Sequence, residues 1–225
     1  MRNTRQAKLV IALSLFLGTA LWTSTAQASV VGIGPGAFPP GSTLITFAGL
    51  ADGTEVNGLL FGGVLFSYSL GNGIVVIDGG PGITNNVNPP NIVSIGNPAG
   101  ILTILLTGPS TNFGYGYAIL NTIAVANATT ITLFSGATNV GSLSYNGVVD
   151  PTFTGGFAGI QSNIPFDRVQ VTFNSAAAPA FALDNIRITP LGAAVPEPTT
   201  MLLLGTGLAV IAGKVGRRSK RIKSE

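Results

Sequence analysis

The sequence predicts an all-β fold, a single two-sheet β-sandwich of jelly-roll type spanning residues 29–194. Three observations lead there. Between Ser29 and Ala194 the apolar residues show no helical period, while short runs of Val, Ile, Leu, Phe, Tyr and Thr recur throughout. Turn chemistry separates those runs, at Asp52-Gly53, Gly71-Asn72-Gly73, Asp78-Gly79-Gly80-Pro81-Gly82, Asn88-Pro89-Pro90, Asn97-Pro98 and Asn146-Gly147. Two segments alternate cleanly: Phe113, Tyr115 and Tyr117 share one phase of residues 112–119, and Val169, Val171 and Phe173 share one phase of residues 168–173. Alternation at period two gives a sheet with one buried face.

Taken in order, the expected strands are Thr43–Ala48, Gly63–Ser69, Ile74–Ile77, Asn91–Ile95, Ile101–Thr107, Asn112–Ile119, Thr122–Ala126, Thr129–Phe134, Val140–Tyr145, Asp167–Phe173 and Ala180–Ile188. A span of about 165 residues is long enough for one core, and two facing sheets are the economical way to enclose it, with a closed barrel as the alternative. The strands are shorter than the roughly 9–11 residues a bilayer-crossing strand needs. No repeat of fixed period points to a solenoid or propeller.

Both ends read differently from this body. Residues 1–28 place Arg2, Arg5 and Lys8 before the apolar run Leu9–Leu17, followed by Ala26-Gln27-Ala28. This is the charged region, short hydrophobic helix and small-residue cleavage site of a secretory signal peptide, read by the Sec export machinery and cut after Ala28 with Ala26 two residues before. The apolar stretch falls short of the roughly 20 residues that span a bilayer. Residues 195–225 run from Pro196-Glu197-Pro198 through the apolar segment Met201–Gly213 to the cluster Lys214, Arg217, Arg218, Lys220, Arg221 and Lys223. A helix over residues 199–213 would measure about 22 Å, a short transmembrane helix whose flanking cations snorkel. The cations, led by Lys214, Arg217 and Arg218, act as a membrane stop on the cytoplasmic side.

The formal charge of +3 therefore belongs to the tails, because residues 29–195 hold six acids against Arg168 and Arg187 only. A body with no cationic stripe is not built for nucleic acid. Without Cys or His, the chain has no disulfide, no thiolate zinc site and no His-based triad. Charged residues make up 8% of the chain, against roughly 25% in an average soluble domain. Such a surface of hydroxyls, amides and glycine suits a secreted wall or matrix protein.

The order Pro196-Glu197-Pro198, short apolar helix with Gly205 and Gly207, and terminal Arg217-Arg218 cluster resembles the PEP-CTERM sorting signal of Gram-negative bacteria. The resemblance implies an exosortase that recognises Pro196, Glu197 and Pro198 and cuts near them. It also implies a precursor held transiently in the inner membrane, and a product that is secreted or at the cell surface, in exopolysaccharide or biofilm matrix.

Within the body, the alternating phase slips at Asp184-Asn185 between Phe181/Leu183 and Ile186/Ile188, which predicts a β-bulge. The stretch resembles the terminal strand of carbohydrate-binding jelly rolls. That resemblance implies a structural calcium ligated by Asp184, with Asp52, Glu55 or backbone carbonyls near the first strand completing the oxygen shell. The competing and favoured reading is that Asp184 and Asn185 cap local backbone groups or face solvent. For Phe113, Tyr115 and Tyr117 a sugar-stacking face competes with a core stripe, and the core is favoured because all three share one strand face. No carboxylate pair stands out for a glycosidase, since Asp52, Asp78 and Asp150 occupy ordinary turn positions. The function expected is non-enzymatic, a structural or weak polysaccharide-binding module. The alternative is a secreted polysaccharide hydrolase with an unidentified carboxylate pair.

Overall fold

A computed structural model describes residues 28–191, apart from residues 82, 83, 85 and 95. Twelve strands form: β1 (Val30–Gly32), β2 (Thr43–Ile45), β3 (Thr54–Glu55), β4 (Leu60–Phe61), β5 (Val64–Tyr68), β6 (Ile74–Ile77), β7 (Asn91–Ser94), β8 (Leu102–Ile119), β9 (Val125–Ser135), β10 (Thr138–Val149), β11 (Thr154–Phe173) and β12 (Phe181–Pro190). The one helical element among the described residues is a 3-10 turn at Pro35–Ala37. No described helix is long and apolar enough to cross a membrane. The expected signal helix and transmembrane helix lie outside the described residues.

Every ladder is antiparallel, and hydrogen bonding links all twelve strands into one continuous sheet. The sheet folds over into two layers because β8 and β11 are long enough to serve both. In the first layer the order is β4, β5, residues 102–106 of β8, residues 168–173 of β11, β9 and β10. In the second, residues 154–161 of β11 pair with residues 112–119 of β8, which pair with β12. Strands β2 and β7 share the far edge of β12, and β6 and β3 continue outward from β7. The expected pair of sheets is thus present as two layers of a single folded sheet.

Proline and serine occupy the two bends. Pro109 and Pro165, lacking a ladder donor, stand where β8 and β11 change layers. Ser110 Oγ lies 2.9 Å from the Asn112 carbonyl and 2.6 Å from that of Thr189. Ser162 Oγ accepts from Ile164 N–H at 3.0 Å. Both serines are buried, so their hydroxyls satisfy backbone groups that the bent ladder leaves unpaired.

The layers meet through an aromatic seam. Phe173 of the first layer stacks on Phe181 of β12 at 4.0 Å and meets the edges of Tyr115 and Tyr117 at 6.4 Å. Tyr115 hydroxyl lies 2.5 Å from Thr129 Oγ1, which donates to the Thr172 carbonyl at 2.9 Å. A buried phenol therefore finds a partner in the facing layer. Burial also pushes the Tyr115 hydroxyl well above the ordinary tyrosine range. Phe113, Tyr115 and Tyr117 are fully buried, so the stripe is core.

Long strands replace several of the expected short ones. The expected strands at 101–107 and 112–119 merge into β8, which begins at Leu102; of the expected strand at 122–126 only Val125 and Ala126 are strand, and they join 129–134 in β9. The first half of β11, residues 154–161, was not among the expected strands. Two of its glycines serve close packing: a Cβ at Gly155 would stand 2.3 Å from the Tyr117 carbonyl, and one at Gly159 2.5 Å from that of Ile33. Short edge strands β1, β3 and β4 are also additions to the expected set.

Replacing Phe173 by Ala removes the ring that both layers share, and a buried Phe→Ala change costs about 3 kcal/mol or more. The variant should unfold at markedly lower temperature in a calorimetric scan, while an Ala substitution at exposed Leu120 should leave the midpoint nearly in place.

Candidate functional site

Asp184 and Asn185 occupy the expected bulge. The β8–β12 register shifts between Asp184 and Arg187, and Asn185 takes a positive φ of 52°. The slip turns Asp184 onto the outer side of the second layer, under a short segment containing Thr84, Asn86, Val87 and Asn88. That segment is folded on itself by Thr84 Oγ1, which accepts from Asn86 N–H at 3.1 Å and Val87 N–H at 3.0 Å. Two bonds then fasten it to the sheet: Asn88 N–H donates to Asp184 Oδ2 at 3.1 Å, and Asn185 Nδ2 donates to the Asn86 carbonyl at 2.9 Å.

The fit beneath the segment is close. Asp184 pairs with Gly116 of β8, where a Cβ would stand 1.9 Å from the Asn86 carbonyl oxygen. Glycine is required there to admit the backbone. Val87 fills the space alongside, packing with Val93, Ala118 and Ala182 in a small apolar cluster separate from the main core.

Asp184 is 1% exposed. Burial raises its carboxyl to about 6, against the smaller opposing effect of the Asn88 and Asn185 amides. Its Oδ1 has no hydrogen-bond partner among the described residues, and neither does Oδ1 of Asn91. Strands β12 and β7 pair at Leu183 and Ile92, so positions 184 and 91 are the next along that ladder. An amide at 184 would bring a donor toward an acceptor that lacks one.

The structure does not bring Asp52 and Glu55 to Asp184. Strands β7 and β6 separate β12 from β3, placing Glu55 three strand spacings from Asp184, about 14 Å. Asp52 lies in the exposed turn before β3. Oxygens sharing one calcium sit within 2.3–2.6 Å of it, which that separation does not permit. Among the described residues no three acids gather to hold a metal. The bond Asp184 makes is to the backbone of Asn88, distant in sequence.

Among the clefts that the described residues line are two on the surface. One, of about 230 Å³, lies where β8 leaves the first layer, lined by Thr43, Gly62, Gly63, Leu106, Ile188 and Pro190 among others. The second, of about 190 Å³, is lined by Ser29, Val31, Gln161, Ser162 and Asn163. Neither lining includes an ionisable side chain. Asp52, Glu55 and Asp78 are exposed around the turns that hold them, and Asp167 accepts from Gly136 N–H at 3.0 Å.

Of the other residues singled out in the sequence, Ala28 is exposed at the start of the described chain. Ala26, the triplet Pro196, Glu197 and Pro198, and the cations Lys214, Arg217 and Arg218 lie outside the described residues.

Residues 194–221 match the PEP-CTERM protein-sorting motif. No curated protein matches the chain. Among solved structures, a mutant of the family 29 carbohydrate-binding module CBM29-2 complexed with mannohexaose is 12% identical, covering 66% of this chain and 90% of its own, at a TM-score of 0.37. Another structure of a family 29 carbohydrate-binding module is 11% identical, covering 66% and 87%, at 0.36. A Podospora anserina mannanase of GH26-CBM35 type is 14% identical, covering 60% of this chain and 29% of its own, at 0.33. Likeness at this level assigns no binding residue.

The pH dependence of Asp184 has a definite sign. The unfolded carboxyl ionises near 3.9, while the folded one keeps its proton to about 6. Over that window the folded state binds more protons, so the Asp184 contribution to stability is present below about pH 4 and is lost as pH rises through 6. Asp184→Asn should therefore gain on the wild type in melting temperature between pH 4 and pH 7. A constant difference across that range, read by circular dichroism, would refute the assignment.

Proposed function

We propose that this chain is an exported, non-enzymatic surface or matrix protein of a Gram-negative bacterium, a jelly-roll-type sandwich processed by an exosortase. The observation that carries the reading is the sorting motif at residues 194–221, which begins four residues after the last strand ends at Pro190. Export through the Sec machinery puts the sandwich on the far side of the inner membrane. The tail holds it there until the exosortase acts at Pro196, Glu197 and Pro198. The released domain then resides in extracellular polysaccharide, in a structural or weakly glycan-binding role in the biofilm.

Physical features of the body support that role. Its core is closed by aromatic rings and its exterior relies on hydroxyls: Thr130 Oγ1 and Ser144 Oγ lie 2.8 Å apart, and Thr132 Oγ1 and Ser142 Oγ 3.0 Å apart. Such cross-strand pairs stabilise a sheet without net charge. The two clefts line themselves with backbone, hydroxyl, amide and apolar groups, which suit contact with polyols better than acid–base chemistry.

The processing step is tested by changing Pro196 and Glu197 together to Ala. Intact-mass measurement should then find an uncut, membrane-held form where the wild type yields a shortened product in the medium. An unchanged secreted mass overturns the reading. Incubated with matrix polysaccharide, the native protein should be retained without releasing reducing ends; turnover abolished by changing one Asp would instead establish a hydrolase.

A further inference from the structure

The outer face of the first layer carries a row that crosses six strands in register. Leu60 of β4 pairs with Leu65 of β5, Leu65 with Leu105 of β8, and Leu105 with Arg168 of β11. Arg168 pairs in turn with Phe134 of β9, and Phe134 with Asn139 of β10. Alternation fixes the direction of these side chains. Their neighbours Val64, Phe66, Ile104, Val169 and Leu133 are buried, so the row points to solvent. At about 4.8 Å per strand it extends about 24 Å.

The chemistry along the row is graded. Leu60, Leu65 and Leu105 are 68%, 38% and 45% exposed, an apolar strip at one end. Next to it the Arg168 guanidinium lies 4.4 Å over the Phe134 ring, a stacking that holds the planar fork in place. Its Nε is buried without a partner, and among the described residues no hydrogen bond or ion pair engages the group. A parallel row one step along is polar and uncharged: Ser67, Thr103, Gln170, Thr132 and Ser142 stand in register on five of those six strands.

We propose that this face binds an acidic polysaccharide, with a uronate carboxylate on Arg168, sugar C–H faces on Leu65 and Leu105, and sugar hydroxyls on the Gln170 row. The inference deepens the matrix reading above and rests on it. Local charge decides between acidic and neutral polymers. Residues 29–195 hold six acids against two cations, Arg168 and Arg187, so attraction for a polyanion is confined to the surroundings of Arg168, where the two rows contain no acid. Asp167, adjacent in sequence, is turned to Gly136 N–H at the strand end. A fixed guanidinium fork in a patch free of acids complements a planar carboxylate. Arg187 belongs to the second layer, paired with Leu44 and Gly114, and so provides an internal control of equal charge.

Affinity electrophoresis of the native protein through gels containing polygalacturonate or hydroxyethylcellulose tests the assignment. Polygalacturonate should retard the wild type. Arg168→Gln should weaken that retardation about tenfold or more, the usual loss for a hydrogen bond to a charged group. Arg187→Gln should stay within about twofold. Ser142→Glu, at an exposed position on the polar row, should also weaken it by setting like charges face to face. The inference is overturned if polygalacturonate does not retard the wild type, if Arg168→Gln and Arg187→Gln lose equally, or if Ser142→Glu has no effect. Retardation by hydroxyethylcellulose alone overturns the acidic-polymer inference while leaving the matrix reading standing; failure of that reading is seen separately, in the mass of the processed chain.

Discussion

The antiparallel ladder between β8 and β11 is the constraint on which the rest of the fold depends. The two strands pair from Val171 and Leu102 at one end to Thr154 and Ile119 at the other, with register shifts only around the bend. Because both bend at the same height, one pair of strands supplies the centre of each layer. All other strands are added at its edges. Had both strands ended, at Pro109 and at Pro165, the two layers would share no central strand, and the aromatic seam would have to set their spacing.

Scarcity of charge shapes how polar groups are satisfied inside such a body. Buried hydroxyls reach across layers or to bent backbone, as Tyr115 does to Thr129, and Tyr117 to the Asn146 carbonyl at 2.9 Å. Glycine provides the close approaches, with Gly116 admitting Asn86 and Gly155 admitting Tyr117. Asp184 is the exception, a carboxyl buried with one oxygen bonded to Asn88 N–H. Its raised pKa follows from that position and makes it a positioning group for the segment that covers β8 and β12.

Much of the fold was legible because its signals are local. Residues 168–173 and 74–77 announced themselves by alternation and by β-branched composition, and the phase slip at Asp184-Asn185 located the bulge. Residues 154–161 were hidden because glycine has two uses: local geometry suggests a turn, and only the neighbouring backbone shows that no side chain could fit. The Asp184–Asp52–Glu55 grouping failed for a related reason. Nearness in a folded sheet follows strand order, and the order β12-β7-β6-β3 is set by pairing far along the chain.

By itself the sequence determined that the body is all-β, that its charge sits in the two tails, and that a sorting motif occupies residues 194–221. Each of those is written in contiguous residues, as period, composition or motif. Tertiary structure bore out the inward-facing reading of Phe113, Tyr115 and Tyr117, and alone decided that Leu65, Leu105, Arg168 and Phe134 stand in one row. Those residues come from four strands spread over about 100 positions, and it is hydrogen-bond register, a property of paired backbones, that brings them together.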